Sequence, residues 1–374
     1  MQLKAGYYRQ AAGYKAFQPD IVNKIYHFDE TDLLPLLEKA NIRLGELNAY
    51  ADLVPDIEHF IRLHVVKEAT VSSRIEGTQT NMEEALLQEE EINPEKRNDW
   101  REVNNYIRSM NQSIEELDNL PLSTRLLKKA HKTLLSGVRG EHKLPGEFRS
   151  SQNWIGGATL LDASFIPPVW QEVDPLMGDL EKFMHNENTG LPHVIKIAIA
   201  HYQFETIHPF LDGNGRIGRL MITLYFIHAG ILQKPVLYLS DFFERNRSLY
   251  YDNLTAVRTR NDFKSWIRFF LVGVIETAEK AIKGLKNIIS LKKDCETQRI
   301  SLLGKKMSSA QILLHQLFIN PIIRPHEVAK LTGLSLVSVY KLIEDFERLK
   351  ILKEITGANR NRIYLFDEYY KVFN

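Results

Sequence analysis

From about Thr31 to Asp118 apolar positions recur at helical spacing, with Leu33, Leu36, Leu37 and Ala40 in one stretch and Ile57, Phe60, Ile61 and Val65 in another. This part is predicted to be helical. The period continues from Pro121 to about Leu285 but fails between Trp154 and Trp170. There Gly156-Gly157 signals a turn, and Ser164-Phe165-Ile166 ahead of Pro167-Pro168 is expected to be extended, which predicts a short hairpin inside a helical core. A Lys-rich helix is expected from Lys283 to Lys306. Beyond Ser308 the pattern changes. Pro325 to Lys330 and Ser335 to Leu349 read as two helices joined by Leu331-Thr332-Gly333-Leu334, where Gly333 can take the left-handed turn and Ser335 can cap. Lys353 to Thr356, Gly357 to Asn361 and Arg362 to Phe366 then read as strand, turn and strand. The expected fold is mainly α, with an N-terminal helical domain (1–120), a helical core with a β-hairpin flap (121–285), a linker helix (286–307) and a small winged helix-turn-helix domain (308–374). No internal repeat is visible.

Composition narrows the function classes. The chain has 374 residues, 44% hydrophobic and 25% charged, with 20 Gly and 14 Pro, which excludes collagen-like and wholly disordered chains. Forty-eight basic residues against 47 acidic ones leave a net charge of +1, so no field of the whole molecule would hold it on nucleic acid or an anionic membrane. Cys295 is the single cysteine, which rules out an internal disulfide framework and fits a reducing compartment. The first residues lack the apolar stretch of a secretory signal, and the longest apolar run, Trp266 to Ile275, is interrupted by Arg268 and too short to span a bilayer. A soluble, cytoplasmic protein without a membrane partner is expected.

Chemistry concentrates between His193 and Gly230. Val194, Ile197, Ala198, Ala200 and Phe204 predict an amphipathic helix that ends near His208, because Pro209 disfavours a helical residue before it. A Gly-containing loop follows and opens into a second, strongly apolar helix ending at Gly230. Arg216 and Arg219 at the start of that helix face the positive end of its dipole, which is unfavourable unless an anion shares the space. Phosphate suits their fork-shaped donors, with Gly213 and Gly215 letting backbone N–H groups form an anion nest. Asp212 offers an oxygen ligand for a magnesium ion bridging phosphates, and His208 is a candidate general base for a hydroxyl nucleophile. Gly213, Gly215 and Gly218 also match G-x-G-x-x-G, but that fingerprint needs a preceding strand, and the residues here have helical period.

His208 through Arg219 resemble, position by position, the H-P-F-x-D-G-N-G-R-x-x-R signature of Fic domains. The resemblance implies a Fic-type helical core and transfer of AMP from ATP to a Tyr, Thr or Ser hydroxyl of a target protein or of the chain itself, releasing pyrophosphate. It implies that His208 deprotonates the hydroxyl, that Asp212 holds Mg²⁺, and that Asn214 and Gly215 cradle phosphate oxygens. ATP would be bound along Gly213, Asn214, Gly215, Arg216, Ile217, Gly218 and Arg219, with the two arginines on the outer phosphates. Phe210 would anchor the loop, Tyr251 would close the nucleotide pocket, and Ser164, Phe165 and Ile166 would form the flap edge that pairs with the target backbone. Upstream, Ser72-Ser73-Arg74-Ile75-Glu76-Gly77 resembles the S/T-x-x-x-E-G/N motif of Fic proteins inhibited by their own N-terminal helix. By that resemblance Ser72 and Glu76 are regulatory, and Glu76 pairs with Arg219 to displace ATP from a productive pose.

Rival readings remain open at this point. The tail could bind DNA while the Fic part senses nucleotide, but its second helix sets Ser335, Ser338 and Lys341 beside Glu344, Asp345 and Glu347, and only Arg360 and Arg362 mark the wing. Protein docking or a homodimer is the competing use of that tail. Within the fold, removal of AMP or transfer of another phosphate-containing group is the alternative activity.

Overall fold

The structure is a computed structural model and describes residues 3–11, 13–54, 56–357 and 362–373. Its N-terminal part holds a hairpin of β1 (Gly6–Gln10) and β2 (Lys15–Pro19), followed by α1 (Leu34–Leu53), α2 (Ile57–Ile75), α3 (Met82–Leu86) and α4 (Arg97–Glu116). The centre comprises α5 (Thr124–Leu134), α6 (Val173–His185), α7 (His193–Ile207), α8 (Asn214–His228), α9 (Ser240–Arg245), α10 (Arg247–Arg260) and α11 (Phe263–Asp294). The C-terminal part runs α12 (Met307–Ile319), β3 (Ile322–Ile323), α13 (Pro325–Thr332), α14 (Leu336–Arg348), β4 (Lys353–Glu354), β5 (Tyr364–Leu365) and α15 (Asp367–Lys371). Its three strands pair antiparallel in the order β3-β5-β4.

The helix expected to be amphipathic is instead the axis of the core: every residue of α7 from Val194 to Ile207 is buried. Neighbours surround it, and several of its polar members are bonded individually. Lys196 donates to the Asn186 carbonyl at 2.9 Å, Gln203 to that of Asp20 at 2.9 Å, and the His201 ring bridges the Gly218 carbonyl at 3.0 Å and the Tyr250 hydroxyl at 2.9 Å. The helix ends as expected at Ile207, and His208 adopts a left-handed conformation with φ 50°.

The N-terminal hairpin was not anticipated, and it changes the flap. The expected flap hairpin shrinks to one bridge, with Ile155 and Phe165 exchanging backbone hydrogen bonds of 2.8 and 3.1 Å around a turn held by Asp162. On the other side of the same segment the Phe17 N–H donates to the Ile166 carbonyl at 2.9 Å. The edge expected to be open is therefore already occupied by β2. Phe165 and Ile166 are buried, and Ser164 is the exposed member of that edge. Because Phe17 spends its N–H on the flap, Tyr8 opposite it turns its own backbone groups away from β2, and the free edge of the ribbon becomes the fully exposed β1.

Two further differences have local causes. The expected linker helix has no start at residue 286: α11 is continuous across that point, its apolar residues Ile282, Leu285, Ile288 and Leu291 keeping the period against α1 and α2, and it passes into a π turn at Cys295–Arg299. The expected helix pair of the tail is present as α13 and α14, with Gly333 at φ 69° and Ser335 capping Ser338 at 3.4 Å. The turn expected from Gly357 to Asn361, Arg360 included, lies beyond Gly357 outside the described residues.

Phe17 is fully buried, with its ring 5.2 Å from Tyr8 and 6.2 Å from Phe165. Phe17→Ala is expected to cost about 3–5 kcal/mol by chemical denaturation and to expose the hairpin to trypsin; unchanged proteolysis of the first twenty or so residues would contradict this packing.

Candidate active site

The loop Pro209–Gly213 between α7 and α8 is fixed by side chains that spend their hydrogen bonds on its backbone. Asn214 Oδ1 accepts from Phe210 N–H and its Nδ2 donates to the Phe210 carbonyl, both at 2.8 Å. Arg149 donates to the carbonyls of His208 at 3.0 Å and Pro168 at 2.6 Å, tying the loop to the flap, and Asn153 donates to the Phe210 carbonyl at 3.0 Å. Phe210 is fully buried and stacks on His131 at 3.8 Å. His131 accepts from Gly146 N–H at Nδ1, so its Nε2 carries the proton donated to the Asp212 carbonyl at 3.0 Å. None of Arg149, Asn153 and His131 has a signal in sequence reading, because each acts from another segment.

Only Gly213 in this region needs glycine for its backbone, at φ 74°. Gly215 and Gly218 are helical, so the expected nest reduces to the first amides of α8, whose carbonyl partners would lie before the helix. Their small size serves close approach instead. A Cβ at Gly215 would lie 2.2 Å from Glu76 Oε1, and one at Gly218 would lie 2.4 Å from Glu205 Oε1. The side chain of Asn214 is consumed by the loop, which leaves its backbone N–H for an anion.

Arg219 is buried and paired through Nε and Nη2: its Nε donates to Ser72 Oγ at 2.8 Å, and its Nη2 to the Ser72 carbonyl at 3.0 Å and to Glu76 Oε1 at 2.7 Å. Glu76 sits at the C-cap of α2, where Gly77 at φ 102° ends the helix. Burial alone would raise the Glu76 carboxyl, but the Arg219 guanidinium beside it more than offsets that and holds it below the usual carboxylate range. Arg216 is different. Its Nη1 lies 3.5 Å from Glu102 Oε2 and its Nη2 3.6 Å from Asp212 Oδ1, yet neither its Nε nor its Nη1 completes a hydrogen bond among the described residues. A guanidinium 4% exposed with two idle donors at a helix start is a site built for another acceptor.

Burial pushes the His208 imidazole down to about 4, partly offset by the Glu205 carbonyl, so it is neutral at ordinary pH, and no bond to its Nδ1 is completed among the described residues. Asp212 is half-exposed, with Oδ1 accepting from Gly213 N–H at 2.6 Å. Tyr251 is 42% exposed, packs on Tyr250 at 5.1 Å, and is raised by burial and by the Glu76 charge, which places it beside the Glu76–Arg219 pair. The Arg258 guanidinium lies 4.0 Å over the Phe165 ring, linking α10 to the flap.

With this geometry in view, residues 34–115 match the family described as Fic/DOC family N-terminal, and residues 121–226 match the Fic/DOC family. The chain belongs to the Fic/DOC family. Similar curated proteins include Protein adenylyltransferase Fic of Aedes aegypti, 35% identical over 129 residues, which are 33% of this chain and 22% of the relative. The protein of the same name from Drosophila melanogaster is 34% identical over 125 residues, 33% of this chain and 23% of the relative. The chain thus spans less than a quarter of the length of these relatives. Among solved structures, a Fic family protein from Desulfovibrio desulfuricans G20 superposes with a TM-score of 0.58 at 19% identity over 92% of this chain and 98% of that one. Fic-1 (residues 134–508) from C. elegans superposes with a TM-score of 0.53 at 19% identity, over 68% of this chain and 75% of that one. These likenesses show a common fold. Among the described residues no helix of the Fic protein is long and apolar enough to cross a membrane.

Glu68 and Glu205 are both pushed up to about 7 by burial, from 4.5. At these two carboxyls the folded chain holds more protons than the unfolded one between those values, so their contribution to stability is lost as pH rises through that window, while the buried His64, His131, His201 and His208, pushed down to about 3 or 4, act in the opposite sense. Glu205→Gln and Glu68→Gln are each expected to make the change in Tm between about pH 5 and about pH 8 more positive than in the wild type; variants whose Tm tracks the wild type in parallel across that range would contradict it.

Proposed function

We propose that this Fic protein is a protein adenylyltransferase that moves AMP from ATP to a Tyr, Thr or Ser hydroxyl of a target protein or of itself, and that Glu76 holds it inactive. The observation that carries the reading is the start of α8, where the Glu76 carboxylate lies against Gly215 and on Arg219, the place and charge of a phosphate, while Arg216 keeps two donors idle next to it. With Glu76 withdrawn, the amides of Asn214 to Arg216 and the two guanidiniums form a cradle for a triphosphate chain.

In this reading neutral His208, held at the end of α7 by the Arg149–carbonyl bond, takes the proton of the attacking hydroxyl. The bond from that oxygen to the α-phosphorus forms as the bond to the bridging oxygen of pyrophosphate breaks. Asp212 fits a magnesium ion as a half-exposed carboxylate beside the phosphate site; the described residues offer no cluster of three or more metal-ligating side chains, so phosphate and water oxygens would complete the coordination. When bound, the ion neutralises phosphate charge. Tyr251 stands at the rim as a wall for the nucleotide. For the flap to hold a target strand along Ser164 to Ile166, Phe17 must first give up the Ile166 carbonyl. We read the C-terminal part as a winged helix that docks protein, a second copy included, because α14 exposes Leu336, Val337 and Tyr340 on its free face.

Incubation with labelled ATP and Mg²⁺ tests the reading. Weak self-labelling is expected from the wild type, about a hundredfold more from Glu76→Gly, corresponding to about 2.7 kcal/mol, and none from His208→Ala. Labelling of Glu76→Gly no stronger than wild type would remove the inhibitory role. An ordinary imidazole would lose about fourfold in its neutral form from pH 8 to pH 6; because His208 is neutral well below that range, labelling by Glu76→Gly is expected to stay level over it.

A further inference from the structure

The segment that carries Glu76 is gripped on both sides by the C-terminal part of the chain. Before Glu76, the first half of α2 packs against the end of the chain: the Phe373 ring lies 5.4 Å from Phe60 and 5.5 Å from His64, and the partly buried Lys67 ammonium donates to the Phe373 carbonyl. His59, one turn earlier, meets His315 of α12 at 5.3 Å. After Glu76, Leu86 and Leu87 pack on Ile322 and Leu365 of the three-stranded sheet and on the adjoining Ile363, and the Glu91 carboxylate takes a two-pronged bond from Arg324, with Nε to Oε1 at 2.8 Å. Glu76 lies between these anchors, 16 residues beyond Phe60 and 15 before Glu91.

The connection between anchor and site is stiff. From Ile57 to Ile75, α2 has neither glycine nor proline, so a displacement at Phe60 is carried about 24 Å along the helix to the C-cap. Gly77, immediately after Glu76, is the first residue able to absorb a rotation.

We propose that residues 307–373 act as a regulatory clamp: by holding α2 at Phe60, His64 and Lys67 and the following segment at Leu86, Leu87 and Glu91, they keep Glu76 on Arg219, and loosening them opens the site. This gives the C-terminal domain a function within the chain, and it rests on the inhibitory reading of Glu76. The bistable element is α2 with its C-cap, and the clamp biases it toward the closed position.

The test uses the full chain carrying Phe373→Ala together with Arg324→Gln, with hydrogen exchange of residues 71–77 and ATP labelling as two readouts. Both rates are expected to rise by about fivefold or more over wild type. The same changes placed in Glu76→Gly are expected to leave its labelling rate unaltered, since there is no carboxylate left to release. Exchange of residues 71–77 at the wild-type rate overturns the clamp, whether or not the chain labels. An equal rise in the Glu76→Gly background also overturns it, because the domain would then act elsewhere. If Glu76→Gly itself fails to label, the transferase reading falls and the exchange measurement alone decides the clamp. Should the double variant unfold, Arg324→Gln alone, which leaves the tail's apolar packing in place, carries the same outcomes.

Discussion

A guanidinium buried at the positive end of a helix is the constraint around which the centre of this protein is organised. Arg219 cannot stay there without a counter-charge, since an unpaired buried cation costs several kcal/mol. Glu76 and both oxygens of Ser72 supply what it needs, and they come from the end of α2, 143 and 147 residues earlier in the chain. Gly215 has no side chain because the carboxylate rests on it. The pair is half of a competition: any anion that takes Arg219 must displace Glu76, and whatever steadies α2 weighs on the same balance.

Arg216 shows the other side of that constraint. Its main-chain carbonyl is fixed by the Tyr106 hydroxyl at 2.7 Å, and its guanidinium is kept near Glu102 and Asp212 without closing on either. Two carboxylates at 3.5 and 3.6 Å hold the charge in place, and the idle donors keep it available. Around it the loop is immobilised by Asn214, Asn153, Arg149 and His131, so the His208 backbone can hold a left-handed conformation next to a proline.

The flap is the second place where distant segments meet. Arg149 joins its base to the loop, Arg258 covers Phe165, and β2 occupies the Ile166 carbonyl. In the proposed function, access to the site would have two gates of different chemistry, a carboxylate over the phosphate cradle and a backbone strand along the flap. Both belong to the N-terminal part, and the C-terminal part contacts the chain on either side of Glu76, at Phe60 through Phe373 and at Glu91 through Arg324.

By itself the sequence determined what local chemistry can decide. The end of α7 before Pro209, the start of α8 after Gly213, the end of α2 at Gly77 and the helix pair around Gly333 all follow from turn and cap residues acting on their neighbours. The pattern from His208 to Arg219 is dense enough to mark the site, and Ser72 with Glu76 lies one helical turn apart on the face that meets it. Only the tertiary structure decided the rest. The burial of α7 on every side, the use of Gly215 and Gly218 for close approach, the raised Glu205 and the positioning roles of Arg149, Asn153 and His131 depend on atoms contributed by other segments. Strand pairing is the clearest case: the hairpin that pairs Tyr7, Tyr8, Ala16 and Phe17 is joined to the flap where the Phe17 N–H reaches the carbonyl of Ile166, about 150 residues away, and no local preference encodes that partner.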